Sequence, residues 1–112
     1  VADAVDVRTG DVLAALDDLE SGSFDVLTLD TEDAPAVVER APDLLVDGGS
    51  LAVYVPFVEA TRDAVEAARV AGLENVRAEE TIQRELDVDE RGTRPSTKGV
   101  GHTGYLLIAR NP

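Results

Sequence analysis

The chain contains no cysteine, no methionine and no tryptophan. Without cysteine there is no disulfide framework, no thiolate metal site and no cysteine nucleophile. Positive charge is scarce. Lys98 is the single lysine beside nine arginines, and 10 Lys plus Arg face 23 Asp plus Glu, a formal net charge of −13. That balance excludes a basic, phosphate-hugging module of the usual kind. No apolar run is long enough to span a bilayer. The first residues, Val1-Ala2-Asp3-Ala4-Val5-Asp6, carry neither the basic nor the continuous apolar segment of a secretion signal. The expectation is a cytoplasmic protein with no membrane contact.

What is present suffices for one folded unit: 112 residues, 44% of them hydrophobic, can close a single core. Disordered acidic segments are poor in branched aliphatics, whereas here valine and leucine recur at regular spacing. The acidity therefore reads as the surface of a folded protein, saturated with carboxylate and purged of lysine. Proteins of salt-loving organisms have such surfaces, because carboxylates stay hydrated where salt screens charge strongly.

The segments alternate in type. Val5 to Arg8 is a short strand candidate. Asp11 to Leu19 has helical spacing at Val12, Leu13, Ala15, Leu16 and Leu19. Phe24 to Asp30 reads as a mostly buried strand ending in a carboxylate. A helix runs from about Ala34 to Leu45, with Pro35 in its first turn and Pro42 placed to split it near its end. Asp47-Gly48-Gly49 is a turn. Ser50 to Val55 is a strand of the kind buried on both faces. Phe57 to Ala71 is the clearest helix, stopped by Gly72. Asn75 to Gln83 is a strand, Asp87 to Gly101 a long polar loop, and Thr103 to Ala109 the closing strand. Alternation followed by two consecutive strands implies an α/β sheet. Helical crossovers make its first three strands parallel, and its last pair meets as an antiparallel hairpin.

In open α/β sheets ligands sit at the carboxyl ends of strands. Gly10-Asp11, Asp30 and Tyr54 with Pro56 end strands there and should line one edge. Each has a bland alternative. Asp11 by itself reads better as a plain helix N-cap. Asp30 opens the acidic run Thr31-Glu32-Asp33, which could bind magnesium or orient an amine; Glu32 and Asp33 are read as partners of the next helix's positive end, and no metal is assigned. Tyr54 could stack on a planar ligand or sit in the core. Gly99-Val100-Gly101-His102-Thr103-Gly104 matches the spacing of a dinucleotide fingerprint, but that motif must follow a strand and open a helix. Here it follows a polar loop and enters a strand, so the match is rejected. His102, the only histidine, has no partner for a triad.

Phe24-Asp25-Val26-Leu27-Thr28-Leu29-Asp30, then Gly48-Gly49 before Leu51-Ala52-Val53-Tyr54-Val55-Pro56, then Arg94-Pro95, then Gly101-His102-Thr103-Gly104-Tyr105-Leu106 occur in that order. Together they resemble the C-terminal part of the TrmI family, the S-adenosylmethionine-dependent tRNA (adenine-N1)-methyltransferases of the T-loop, over essentially the whole chain. The resemblance implies a class I, Rossmann-like methyltransferase sheet truncated at its N-terminal side, with residues 1–112 forming the C-terminal portion of a catalytic domain. It implies S-adenosylmethionine as cofactor, tRNA as partner and a homo-oligomer, commonly a tetramer. Residue by residue, it assigns Asp11 to the cofactor's adenine amine, Asp30 to the active site beside the methyl group and target base, and Tyr54 to the base pocket. His102 and Thr103 belong to a signature turn near the site. Read from the residues themselves, Arg84, Arg91, Arg94 and Lys98 cluster in or beside the long loop, where they either contact phosphate or neutralise the neighbouring carboxylates. The sequence departs from the family where Asp30 is followed by Thr31-Glu32-Asp33-Ala34-Pro35 rather than Leu-Pro-Asp/Glu-Pro-Trp. The family's glycine-rich cofactor loop and N-terminal β-domain would precede Val1, so the expectation is a fragment inactive alone; the carboxylate surface adds the expectation of a halophilic archaeal source. In the truncated sheet, the strand ending at Asp30 should become an exposed edge and the last strand should insert beside Leu51 to Val55. Two other readings stand: a small-molecule methyltransferase, and a non-catalytic methyltransferase-like interaction subunit.

A surface carrying −13 repels itself at low ionic strength. The melting temperature followed by circular dichroism should therefore rise steadily from low salt to molar potassium chloride; a flat profile would contradict the halophilic reading.

Overall fold

In the computed structural model, which describes residues 2–112 (of Ala2, His102 and Thr103 the backbone alone), six strands and three α-helices follow one another. They are α1 (Val12–Ala15), β1 (Phe24–Leu29), α2 (Ala34–Leu44), β2 (Leu45–Val55), α3 (Val58–Val70), β3 (Glu74–Gln83), β4 (Leu86–Asp89), β5 (Gly92–Pro95) and β6 (Gly101–Arg110). Four strands make the main sheet in the order β1-β2-β6-β3. The β1–β2 pair is parallel, while β6 runs antiparallel to both β2 and β3. The closing strand therefore inserts beside Leu51–Val55, as expected of a truncated methyltransferase sheet.

The core lies on one face. Along β2, Leu51, Val53 and Val55 are buried, and their cross-strand partners Leu29, Leu107 and Ala109 are buried with them. Side chains alternate across a strand, so these residues all face α2 and α3. α2 contributes Val37, Val38 and Ala41, and α3 contributes Ala64 and Ala68, each fully buried. The alanines at i and i+4 let α3 approach the sheet and α2 closely. α3 ends as predicted: the Gly72 amide donates to the Arg69 carbonyl and the Leu73 amide to the Ala68 carbonyl, which satisfies the last helical acceptors.

Several expectations are corrected. Val5 to Arg8 forms no strand, and Val5 and Val7 stand 60% and 79% exposed; a segment with two valines buries too little apolar surface to offset the entropy of ordering it against the open edge of β1. The parallel set is accordingly the single pair β1–β2. β1 is not mostly buried: of its residues only Leu29 is buried and Val26 stands 58% exposed, while its place at the edge of the sheet is the one expected. Ser50 to Val55 is buried on one face only, since Tyr54 stands 37% exposed between the buried Val53 and Val55. Asp11 to Leu19 is one turn of α-helix followed by a 3-10 turn, Leu16–Asp18. Pro42 does not split α2. It stands in the last turn, where its missing donor costs one hydrogen bond and the helix is about to end anyway. Asp87 to Gly101 is not all loop: β4 and β5 form a separate two-stranded sheet, turned at Asp89, whose carboxylate accepts from the Arg91 amide at 2.8 Å.

Asp47-Gly48-Gly49 is not a turn between elements but a bulge inside β2. One step on β1, from Phe24 to Val26, spans Leu45 to Ser50 on β2. Gly48 takes φ +80°, and a Cβ on Gly49 would lie 3.0 Å from the Val46 carbonyl and 3.2 Å from that of Asp25. Only glycine fits both places. The bulge is clasped by Asn111, just beyond β6. The Gly48 amide donates to the Asn111 carbonyl and the Asn111 amide to the Gly49 carbonyl, both at 2.8 Å. The buried Asn111 Nδ2 donates to the carbonyls of Pro42, Leu45 and Val46 at 3.2–3.3 Å.

Removing that amide leaves buried acceptors unsatisfied. Asn111→Ala should cost about 2 kcal/mol in urea unfolding. Asn111→Asp should cost more, since a carboxylate would face the same carbonyls. Wild-type stability in both variants would show that the clasp carries no weight.

Candidate functional site

The carboxyl ends of β1 and β2 point the same way because the two strands are parallel. Asp30 leaves β1 there, and Tyr54, Val55 and Pro56 leave β2. Between them opens a cleft of about 470 Å³ lined by Asp30, Thr31, Pro35, Tyr54, Phe57 and Asp63, among others. Its floor is apolar and its rim acidic. Asp30 and Thr31 also border a second hollow of about 390 Å³, with Gly10, Asp11 and Val12 on its far wall. The predicted edge of Asp11, Asp30 and Tyr54 is therefore present, as two hollows that share Asp30.

Local chemistry accounts for each placement. Asp11 is the N-cap of α1, and its Oδ1 accepts from the Leu13 amide at 3.0 Å. The capping alternative is thus realised, and one carboxylate oxygen remains for a ligand. Asp30 is exposed at the strand tip. The Thr31 hydroxyl accepts from the Asp33 amide at 3.2 Å and the Thr31 carbonyl from the Ala34 amide, which turns the chain sharply into α2 and leaves the Asp30 tip open. Tyr54 is 37% exposed, on the sheet face opposite the helices, so the core alternative does not hold. Among the described residues, no group of three or more histidines or carboxylates converges to hold a metal ion, and no helix is long and apolar enough to cross a membrane.

Other site candidates lie elsewhere. Arg94 sits on β5 and lines a separate hollow with Arg91 and Asp89. Lys98 and Arg84 line another, where Lys98 pairs with Glu85 at 3.6 Å. The structure does not bring these cations to the Asp30–Tyr54 cleft. The side chains of His102 and Thr103 lie outside the described residues; their backbone is part of β6. Sequence reasoning missed Phe57, Asp63 and Gly104. Phe57 was read as the start of a helix, yet it is 70% exposed and lines the cleft. An aromatic residue directly after a Pro that ends a strand was the available signal. Gly104 is buried behind the Tyr54 ring.

No protein-family model matches the chain. The tRNA (adenine(57)-N(1)/adenine(58)-N(1))-methyltransferase TrmI of Methanocaldococcus jannaschii is 37% identical over 106 residues, which are 94% of this chain and 36% of that protein. The chain thus spans about a third of that relative's length. An S-adenosylmethionine-dependent O-methyltransferase of Thermotoga maritima superposes with a TM-score of 0.77 at 20% identity, over 87% of this chain and 37% of that one. The tRNA (m1A58) methyltransferase TrmI of Aquifex aeolicus superposes with a TM-score of 0.74 at 20% identity, over 84% of this chain and 38% of that one. The fold is accordingly the Rossmann-like α/β sheet of S-adenosylmethionine-dependent methyltransferases.

Because Phe57 is mostly exposed, Phe57→Ala should change the unfolding free energy by less than about 0.5 kcal/mol. A larger loss in a urea titration would assign the ring to packing rather than to the cleft.

Proposed function

We propose that this chain is the C-terminal part of an S-adenosylmethionine-dependent tRNA methyltransferase that modifies N1 of an adenosine in the T-loop. The observation that carries the reading is 37% identity, across 94% of the chain, to a protein of that name. The convergence of Asp11, Asp30 and Tyr54 on one sheet edge supports it. So do the exposed β1 edge and the helix-free sheet face, where Val26, Ala52, Leu106 and Ile108 offer an apolar seat for the remaining strands and helices of a whole domain.

The residues present fit one end of the cofactor. Asp11 has a spare carboxylate oxygen for an adenine amine, with Val12 beside it for the ring; Asp30 offers negative charge between the two hollows, where a sulfonium would be favoured. Bound there, S-adenosylmethionine supplies an electrophilic methyl group. Adenine N1 would take the methyl group with its own lone pair as the S–CH3 bond breaks and S-adenosylhomocysteine leaves, so no residue of this chain is required as a strong base. Positioning and electrostatics carry the acceleration. The methylated ring becomes cationic. The Asp30 carboxylate accepts a hydrogen bond from the exocyclic amine and stabilises that charge, while Tyr54 and Phe57 hold the base by their ring faces. The base reaches the cleft by leaving its stack.

The tRNA itself meets an acidic protein. Arg84, Arg91, Arg94 and Lys98 stand in the one stretch, residues 84–98, where four cations balance four carboxylates, which makes it the place where phosphate meets least repulsion. The same stretch exposes Leu86 and Val88 on one side of β4, a surface suited to contact between copies in a homo-oligomer. Action on tRNA places the protein in the cytoplasm, and its carboxylate surface fits a halophilic source.

Asp30→Ala in the whole enzyme should lower methyl transfer to tRNA by roughly two to three orders of magnitude while the circular dichroism spectrum stays unchanged. Near-normal turnover would remove Asp30 from the chemistry. Methylation of a small molecule but of no tRNA would favour the small-molecule reading.

A further inference from the structure

The wall of the cleft that Tyr54 forms depends on a residue of the neighbouring strand. Tyr54 pairs with Leu106 across β2 and β6. Gly104 is the next residue of β6 on the same face, and hence the diagonal neighbour within reach of a long ring. Gly104 is buried, takes φ +140°, and a Cβ built there would lie 2.8 Å from both Cζ and Oη of Tyr54. Atoms do not approach so closely. The ring therefore lies on a bare stretch of β6 backbone, and its remaining surface, 37% exposed, forms the cleft wall facing Asp30.

We propose that Gly104 is the positioning residue for Tyr54: its missing side chain sets how deep the ring sits, and so sets the width of the slot between Tyr54 and Asp30 that a planar base would enter. β6 is held in register by β2 on one side and β3 on the other, whereas Tyr54 is hinged at its own side-chain torsions. A methyl group at position 104 therefore moves the ring rather than the strand, away from the β6 backbone and toward the cleft that it lines. Gly104 touches no substrate; it acts through the ring. The identity of the occupant as an adenine rests on the function proposed above, but the seating of the ring does not.

The positive φ would penalise any side chain at this position, so the test must separate backbone strain from the ring contact. Gly104→Ala is introduced into the chain with Tyr54 and into the Tyr54→Ala variant, and both pairs are unfolded in urea. A ring-mediated role predicts that Gly104→Ala lowers the folding constant at least tenfold more with Tyr54 present than without it, a coupling of about 1.4 kcal/mol. Folding of the double variant where Gly104→Ala alone fails would show the same coupling. Equal losses in both backgrounds, or failure to fold in both, would overturn the proposal, since the glycine would then serve only the backbone. In a Tyr105→Phe background, where Tyr54 is the one tyrosine, Gly104→Ala should shift the ring carbon signals in NMR of tyrosine-labelled protein; unshifted signals would likewise overturn it. In the whole enzyme the substitution should raise KM for tRNA about tenfold, and by much less once Tyr54 is alanine. Coupling and a ring shift without any methyl transfer to tRNA would sink the proposed reaction and leave the seating standing. Methyl transfer without coupling would do the reverse.

Discussion

The insertion of β6 between β2 and β3 is the constraint on which the other features depend. A strand that returns antiparallel into the middle of a sheet must be registered on both edges at once. Pairings run from Ser50–Arg110 to Val55–Tyr105 on one side and from Glu74–Arg110 to Gln83–Gly101 on the other. Asn111 fastens the end of that strand to the bulge at Gly48-Gly49 and to the last turn of α2. With the register fixed there, Gly104 arrives beside Tyr54 at the other end. The clasp and the cleft lie at opposite ends of the same two strands, and the register carries one to the other.

The second organising fact is that the fold is one-sided. α2 and α3 cover the face of Leu51, Val53 and Leu107, while the opposite face carries Tyr54, Leu106 and Ile108 without a helical cover. A radius of gyration of 17.8 Å compares with about 13 Å for a compact domain of similar length. The excess comes from the long β3–β6 ribbon and the β4–β5 hairpin beyond it, whose residues are nearly all exposed. Tyr54 stands on the open face at the edge where β1 and β2 end, so its ring stays accessible there. The acidity of the surface matters to the same site. Five ion pairs among the described residues all join exposed side chains, which contribute little to stability and leave most carboxylates without a cationic neighbour.

Much of this was legible in the chain. The strand at Leu51 to Val55, the alanine-rich α3 with Gly72 after it, and Asp30 at a strand tip are local patterns that the structure places as elements where they were read, though the strand is buried on one face rather than two. So is the order of the motifs that led to a methyltransferase sheet. What misled was also local: Gly48-Gly49 reads as a turn because two glycines usually mark one, and Pro42 reads as a break because proline usually makes one. The first is overruled by Asn111, more than sixty residues away in sequence, which clasps the bulge; the second by the place of Pro42 in the last turn of α2, where few helical bonds remain to break.

The amino-acid sequence by itself determined the alternation of elements, the face each helix buries, the carboxylate surface and the residues that end strands at one edge. These follow from short-range spacing and composition, which any stretch of chain carries within itself. Only the tertiary structure decided that Gly48-Gly49 is a bulge inside β2, that Arg94 stands apart from the cleft, that Phe57 lines it and that Gly104 lies against the Tyr54 ring. Each of these depends on which distant residue lies across a sheet, and strand pairing is set by the whole sheet's register and packing rather than by any one segment.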